Sequence, residues 1–203
     1  MSSREEILQR LRDNTHLTFE KPDINITGIQ YPDPVAQFVE MATTAGGARV
    51  VQVHDGDDLN EKIHEVYPDA KVISSNIPEI IAQLNPDKVE AAQDLDGTDV
   101  GVIQGQLGVA ENACIWVPQT MKERAICFIS ENLVILVSRR NIVNNMHEAY
   151  RQIRFPGEES SLDTQHEYGF GTFISGPSKT ADIEQSLVYG AQAARSVTIF
   201  LTE

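Results

Sequence analysis

The sequence predicts an α/β fold built largely on a parallel sheet, and two observations carry that prediction. From Val35 onward, segments with the apolar period of a helix alternate with short apolar runs of strand length. In the centre, Ala113 to Val117, Ala125 to Ile129 and Leu133 to Ser138 are apolar at both alternating positions, the pattern of strands covered on both faces. At 203 residues the chain suits one compact unit. A chain of that size buries about 70% of its unfolded surface, so it needs neither a disulfide nor a structural metal for stability.

The elements follow in order. A first helix is expected from Arg4 to Asp13 behind a Ser3-x-x-Glu6 capping box, with Ile7, Leu8 and Leu11 on one face. Residues 14–34 contain Pro22, Pro32 and Pro34 and no sustained period, so 1–34 reads as a helix and arm ahead of an α/β domain at 35–203. That arm packs either on another subunit, in a homo-oligomer, or on its own domain. Val35 to Thr44 reads as a helix closed by Gly46-Gly47, Arg49 to Val53 as a strand, and Asp58 to Val66 as a helix. Lys71 to Ser74 reads as a strand and Glu79 to Leu84 as a short helix. After the three central strands comes a helix from Asn141 to Ile153, with Ile142, Met146, Ala149 and Ile153 inward. Residues 154–168 have no period and read as a loop placed to act as a lid, and the chain closes on a strand from Val197 to Leu201.

Composition excludes several classes of partner. Thirty acidic against sixteen basic residues give a net charge of −14, which disfavours nucleic acid and anionic membrane surfaces. No apolar run reaches the roughly 18 residues needed to span a bilayer, and the first residues open an amphipathic helix rather than a signal peptide. A cytoplasmic protein without membrane insertion is expected. Cys114 and Cys127 stand alone among apolar neighbours and read as small core residues. No Cys-x-x-Cys pair is present and the five histidines are scattered, so neither an iron–sulfur cluster of the usual four-cysteine kind nor a zinc site is expected in this chain.

The most chemically suggestive stretch is Thr172 to Gly190. A short strand, Thr172 to Ser175, enters a loop at Gly176-Pro177, and Ile183, Leu187, Ala191 and Ala194 recur at helical spacing beyond it. With Thr180 or Asp182 as cap, such a helix start aims unpaired N–H groups at one spot, and Lys179 adds a cation. The segment reads either as an ordinary capped connection or as a site for an anion. It is not a nucleotide-binding P-loop, because the second glycine and the Gly-Lys-Ser/Thr ending are missing.

Gly176-Pro-Ser-Lys-Thr-Ala-Asp-Ile-Glu184, with Leu187, Val188 and Gly190, resembles the C-terminal signature of the lactate-utilisation protein C family, the LUD domain. Asp99-Val-Gly-Val and Gly108-Val-Ala-Glu111 resemble that family's central motif, and Arg124 falls where the family places an arginine. The resemblance covers nearly the whole chain. It implies a three-layer α/β/α fold related to the ribose-phosphate isomerase, glucosamine-phosphate deaminase and CoA-transferase superfamily. It also implies a role in oxidising L-lactate to pyruvate, beside partner proteins that carry iron–sulfur clusters. Two departures mark a divergent member: Glu111-Asn112-Ala113-Cys114 stands where the family has Glu-Thr-Gly-Thr, and Gln192 stands where a histidine is usual.

The candidate site residues follow from these motifs. Glu111 is expected to act as a general base or to pair with Arg124, and Asp182 as an acid or a helix cap. Ser178 and Lys179 are expected to hold a small anionic metabolite together with Gly176, Thr180 and Arg124. Asn112 either contributes its amide to that ligand or makes a turn at a strand edge. Three functions fit: a subunit of a lactate-oxidising complex, a stand-alone isomerase or acyl or CoA transferase, and a non-catalytic assembly protein.

Overall fold

Long runs of Val, Ile and Leu set the architecture, because a strand apolar on both faces is stable only between two covering layers. The computed structural model describes residues 3–15, 19–20, 22, 26–154, 169–181 and 186–203. In chain order the elements are α1 (Ser3–Asn14), α2 (Pro34–Met41) running into a wider π-type turn (Ala42–Gly46), β1 (Arg49–Val53), α3 (Leu59–Val66), β2 (Ile73–Ser74), β3 (Val100–Gln104), β4 (Leu107–Val109) and β5 (Ile115–Pro118). There follow α4 (Ile126–Ile129), β6 (Asn132–Ser138), β7 (Ile142–Val143), α5 (Met146–Gln152), β8 (Gly171–Ile174), β9 (Lys179–Thr180), β10 (Val188–Tyr189) and β11 (Ser196–Thr202).

The fold is α/β. Strands β2, β3, β6, β11 and β1 lie side by side in that order, all parallel. Register places Ile103, Ile135 and Ile199 together on one face, and Val102, Val134 and Phe200 alternate to the other. On the second face α3 inserts the fully buried Ile63. On the first face pack Phe38 of α2, Ile126 of α4, and Ile115 and Val117 from a second sheet, ordered β7-β4-β5-β8. The outer face of that second sheet, with Leu107, Val109 and Trp116, is covered by Ala149 and Ile153 at α5.

Strand β3 is absent from the expectations because Gly101 breaks its apolar pattern. The glycine is required by a close approach: a Cβ there would stand 2.3 Å from Ser130 Oγ. Ala125 to Ile129, expected as a strand, forms the short helix α4, since Phe128 N–H and Ile129 N–H both donate to Ala125 O. A short apolar run fits either period, and Ser130 decides it by donating its hydroxyl to Ile126 O. The helix expected at Glu79 to Leu84 is an irregular segment along β2: Gln83 and Leu84 both donate to Ile73 O, and Ser75 N–H donates to Leu84 O.

The helix expected from Asn141 begins only at Met146. Ile142 and Val143 are taken by pairing with Gly108 and Val109, and the Asn145 side chain caps the helix by accepting from Glu148 N–H. Ser3 lies within α1 rather than ahead of it. The arm from Ile26 to Tyr31 lies along α5 of its own domain: Asn145 Nδ2 donates to Ile29 O, Tyr31 N–H to Asn144 Oδ1, and Arg151 to Ile26 O. Helix α1 buries none of its residues. Residues 155–168, most of the expected lid, lie outside the described residues. Among the described residues no helix is long and apolar enough to cross a membrane.

The edge strand β2 has only two residues, so its tie to β3 matters. Asp99 Oδ2 accepts from Lys71 N–H at 2.7 Å and Val72 N–H at 2.8 Å. The Val72 and Lys71 amides hold the Asp99 carboxyl below its ordinary value of 3.8. Because the folded value is depressed, this contribution is present above the ordinary value and is lost as pH falls through the folded one. Asp99→Asn is expected to lower stability by about 1 kcal/mol at pH 7, a figure discounted for solvent at a half-buried group. Urea unfolding should show that deficit shrinking as pH falls below the ordinary carboxylate range, where the parent carboxylate also protonates.

Candidate functional site

The C-terminal end of α2 leaves carbonyls without helical partners, and these organise the neighbourhood of Gly176. The π-type turn closes with Gly47 in the left-handed region at φ 71°, and Ala48 N–H returns to Ala42 O. The Lys179 ammonium then donates to Ala45 O at 2.8 Å and Gly46 O at 2.5 Å. Gly176 sits against the same turn at φ 69°, where a Cβ would stand 2.2 Å from Gly46 O. Only glycine meets both requirements.

The helix expected after this loop does not begin there. Lys179 and Thr180 form β9, paired antiparallel with Tyr189 and Val188 of β10. Ser178 N–H donates to Ala194 O at 2.9 Å, and Ser178 O accepts from Gly190 N–H at 3.1 Å. Gly190, at φ 79°, turns the chain where the apolar spacing predicts an uninterrupted helix. Among the described residues no fan of free helical N–H groups is present, and the Ser178 amide has a backbone acceptor. Asp182 and Ile183 lie outside the described residues.

The loop nevertheless walls a cleft. A cavity of about 380 Å³ is lined by Ser175, Gly176, Ser178, Lys179 and Gln192 on its polar side. Its apolar side has Phe128, Leu133, Ile174, Ala194 and Val197. Lys179 is the one charged residue among those lining it, and among the described residues Lys179 has no acidic partner within ion-pair distance. An ammonium has three donors, and two are taken by the turn carbonyls. A narrow crevice adjoins the cavity through shared Cys127 and Phe128, and Arg124 lines it with its guanidinium 4.5 Å from the centre of the Phe170 ring. A larger cavity, about 460 Å³, lies beside Ser75, Leu84 and Lys88 and contains none of the motif residues.

The structure brings together Gly176, Ser178 and Lys179, with Arg124 lining the adjoining crevice. Thr180 lies in β9 outside the lining. Glu111 is not paired with Arg124 among the described residues; its Oε2 accepts from Met146 N–H at 3.2 Å, at the start of α5. Asn112 makes the turn of its strand edge: Oδ1 accepts from Cys114 N–H at 3.1 Å, and Ala113 between them has φ 54°. Its carbonyl accepts from Ser175 Oγ at 2.9 Å, which links that turn to the cleft wall.

Cys114 is half-buried, and burial raises its thiol, aided by the nearby Glu111 charge and opposed by a hydrogen bond with Ser175. Burial pushes Cys127 up to about 12. Both are poor nucleophiles at neutral pH. Phe128 and Ser175 are site residues that the sequence reading does not single out. Phe128 is hidden inside an apolar run, and only its 41% exposure on α4 marks it. Among the described residues no three His, Cys, Asp or Glu side chains gather to hold a metal ion.

The family model described as LUD domain matches residues 35–202. Lactate utilization protein C of Shouchella clausii (strain KSM-K16) is 29% identical over 107 residues, spanning 52% of this chain and 44% of that protein. The chain thus spans less than half the length of this curated relative. A DUF162 family protein from Deinococcus radiodurans superposes with a TM-score of 0.58 at 14% identity, over 87% of this chain and 100% of that one, which shows a shared fold.

Two outcomes test this geometry. Lys179→Ala is expected to lower stability by about 1 kcal/mol in urea unfolding, through loss of the bonds to Ala45 O and Gly46 O. A freely solvated lysine would change it by less than about 0.5 kcal/mol. Cys127 is expected to alkylate with iodoacetamide at least about 100-fold more slowly in the folded protein at pH 8 than in urea, read by peptide mass spectrometry. Comparable rates would place the thiol outside the core.

Proposed function

The chain belongs to the LUD domain family, and from that premise we propose that it serves lactate utilisation, binding an anionic metabolite in the cleft beside Gly176, Ser178 and Lys179. The observation that carries the reading is electrostatic. In a chain of net charge −14, this cleft is lined by a lysine and by no acidic residue among the described ones. A carboxylate entering it meets the remaining donor of the Lys179 ammonium, with the Ser178 hydroxyl and the Gln192 amide on the same wall.

In this reading the chain is the subunit without iron–sulfur clusters in an assembly that oxidises L-lactate to pyruvate, and partner proteins carry the redox centres. Gln192 orients a ligand but cannot exchange its proton near neutral pH. Glu111, held by the Met146 amide, positions α5 and the Asn112 turn rather than reaching the cleft. The similarity to a lactate utilization protein C supports the role. Arg124, with Phe170 beneath it, lines the crevice next to the cleft.

Deletion of the gene in its native cells is expected to abolish or strongly slow growth on L-lactate as sole carbon source, with growth on glucose unchanged. Tagged protein recovered from lactate-grown cells is expected to bring down iron–sulfur proteins. Normal growth on lactate together with no such partner would overturn the proposal.

A further inference from the structure

The size and lining of the cleft bear on what it holds. A water molecule occupies about 30 Å³ in the liquid, so a six-heavy-atom hydroxy acid fills roughly 180 Å³ at most. The cavity is about 380 Å³, within the usual range for ligands of cofactor or drug size. L-lactate alone would leave about half of it to water, against a floor of Phe128, Leu133, Ile174, Ala194 and Val197. Water on such a floor is the costly arrangement that an apolar ligand body removes.

Phe128 is the particular residue. Its neighbours Ile126 and Cys127 on α4 are buried, whereas Phe128 remains 41% exposed with its lining position in the cavity. The polar groups, Ser178, Lys179 and Gln192, come from the segments Gly176 to Lys179 and Gln192 to Ala194. Phe128 comes from α4. The exposed aromatic face is thus supplied by a different element from the polar groups, an arrangement that suits an amphipathic ligand.

We propose that the cleft takes a carboxylate with a bulky aromatic or branched apolar body, such as a 2-hydroxy acid larger than lactate, its head at Lys179 and its body over Phe128. The inference rests on the anion-binding reading of the same cleft. It adds a ligand class that the lactate role does not include.

The test uses the full chain and two probes that share a head group, L-lactate and L-3-phenyllactate, in titration calorimetry. Phenyllactate is expected to bind at least about tenfold more tightly, as an apolar group entering an apolar pocket does. Phe128→Ala is expected to reduce that advantage to within about twofold, with an unchanged thermal melt because the side chain is partly solvated. Gln192→Glu, an exposed position, is expected to weaken phenyllactate binding severalfold by placing a like charge beside the head group. Equal affinities for the two acids, no binding of either, or full phenyllactate affinity in Phe128→Ala would each overturn the inference. A growth defect on lactate in the deletion strain would then leave the lactate role standing without it.

Discussion

A helix ends with carbonyls that have no amide to accept from, and in this chain those of Ala45 and Gly46 are taken by the Lys179 ammonium. That contact joins residues far apart in sequence and holds the strand-loop segment Gly171 to Thr180 against the first face of the main sheet. Gly176 must then lie under Gly46 O, which excludes a side chain there. The same tie sets the place of β9, and with it the wall formed by Ser178, Gly190 and Ala194. The cation to which we assign the attraction of an anion therefore also builds the cleft. Its two roles coexist because carbonyl acceptors solvate an ammonium without neutralising it.

Much of the fold is legible in the sequence where one local signal dominates. Arg49 to Val53 is a strand from end to end as expected, Leu133 to Ser138 and Val197 to Leu201 lie within β6 and β11, and Asp58 caps α3. Expectation and structure part where a pattern fits two periods. Ala125 to Ile129 is apolar enough for a strand, and Leu187, Ala191 and Ala194 are spaced for a helix; neither pattern carries the long-range bonds that decide. The cleft is legible in part. Its polar residues stand in a recognisable motif, whereas Phe128 and Ser175 enter it only through the packing of α4 and β8.

The position of the cleft within the sheet departs from the usual rule for open parallel sheets, which places ligands at the carboxyl ends of strands. Leu133 and Val197 line the cleft at the amino ends of β6 and β11. The carboxyl ends of β1, β6 and β11 instead gather His54, Arg139 and Glu203. His54 Nδ1 lies 3.0 Å from Glu203 Oε1, and Arg139 lies 3.7 Å from the same oxygen. These side chains are exposed and join strand ends across the surface. The second sheet explains the shift. Ile174 of β8 packs in one cluster with Leu133 and Val197, and the cleft lies at that seam between the two sheets.

Charge decides how such a seam can select a ligand. A net charge of −14 repels anions at long range, but screening at physiological ionic strength reduces that field within about 8 Å. An anion at the cleft therefore responds mainly to what lies within one screening length, and the lining there offers Lys179, hydroxyls and an amide without an opposing carboxylate among the described residues. Local attraction of one partly solvated cation is modest, since exposed ion pairs contribute about 1 kcal/mol or less. Affinity must then come largely from the apolar floor, whose burial scales with ligand area rather than with charge. For the amphipathic carboxylate proposed, the head group would fix orientation and the apolar body strength, so the exposed face of Phe128 would weigh as much as Lys179.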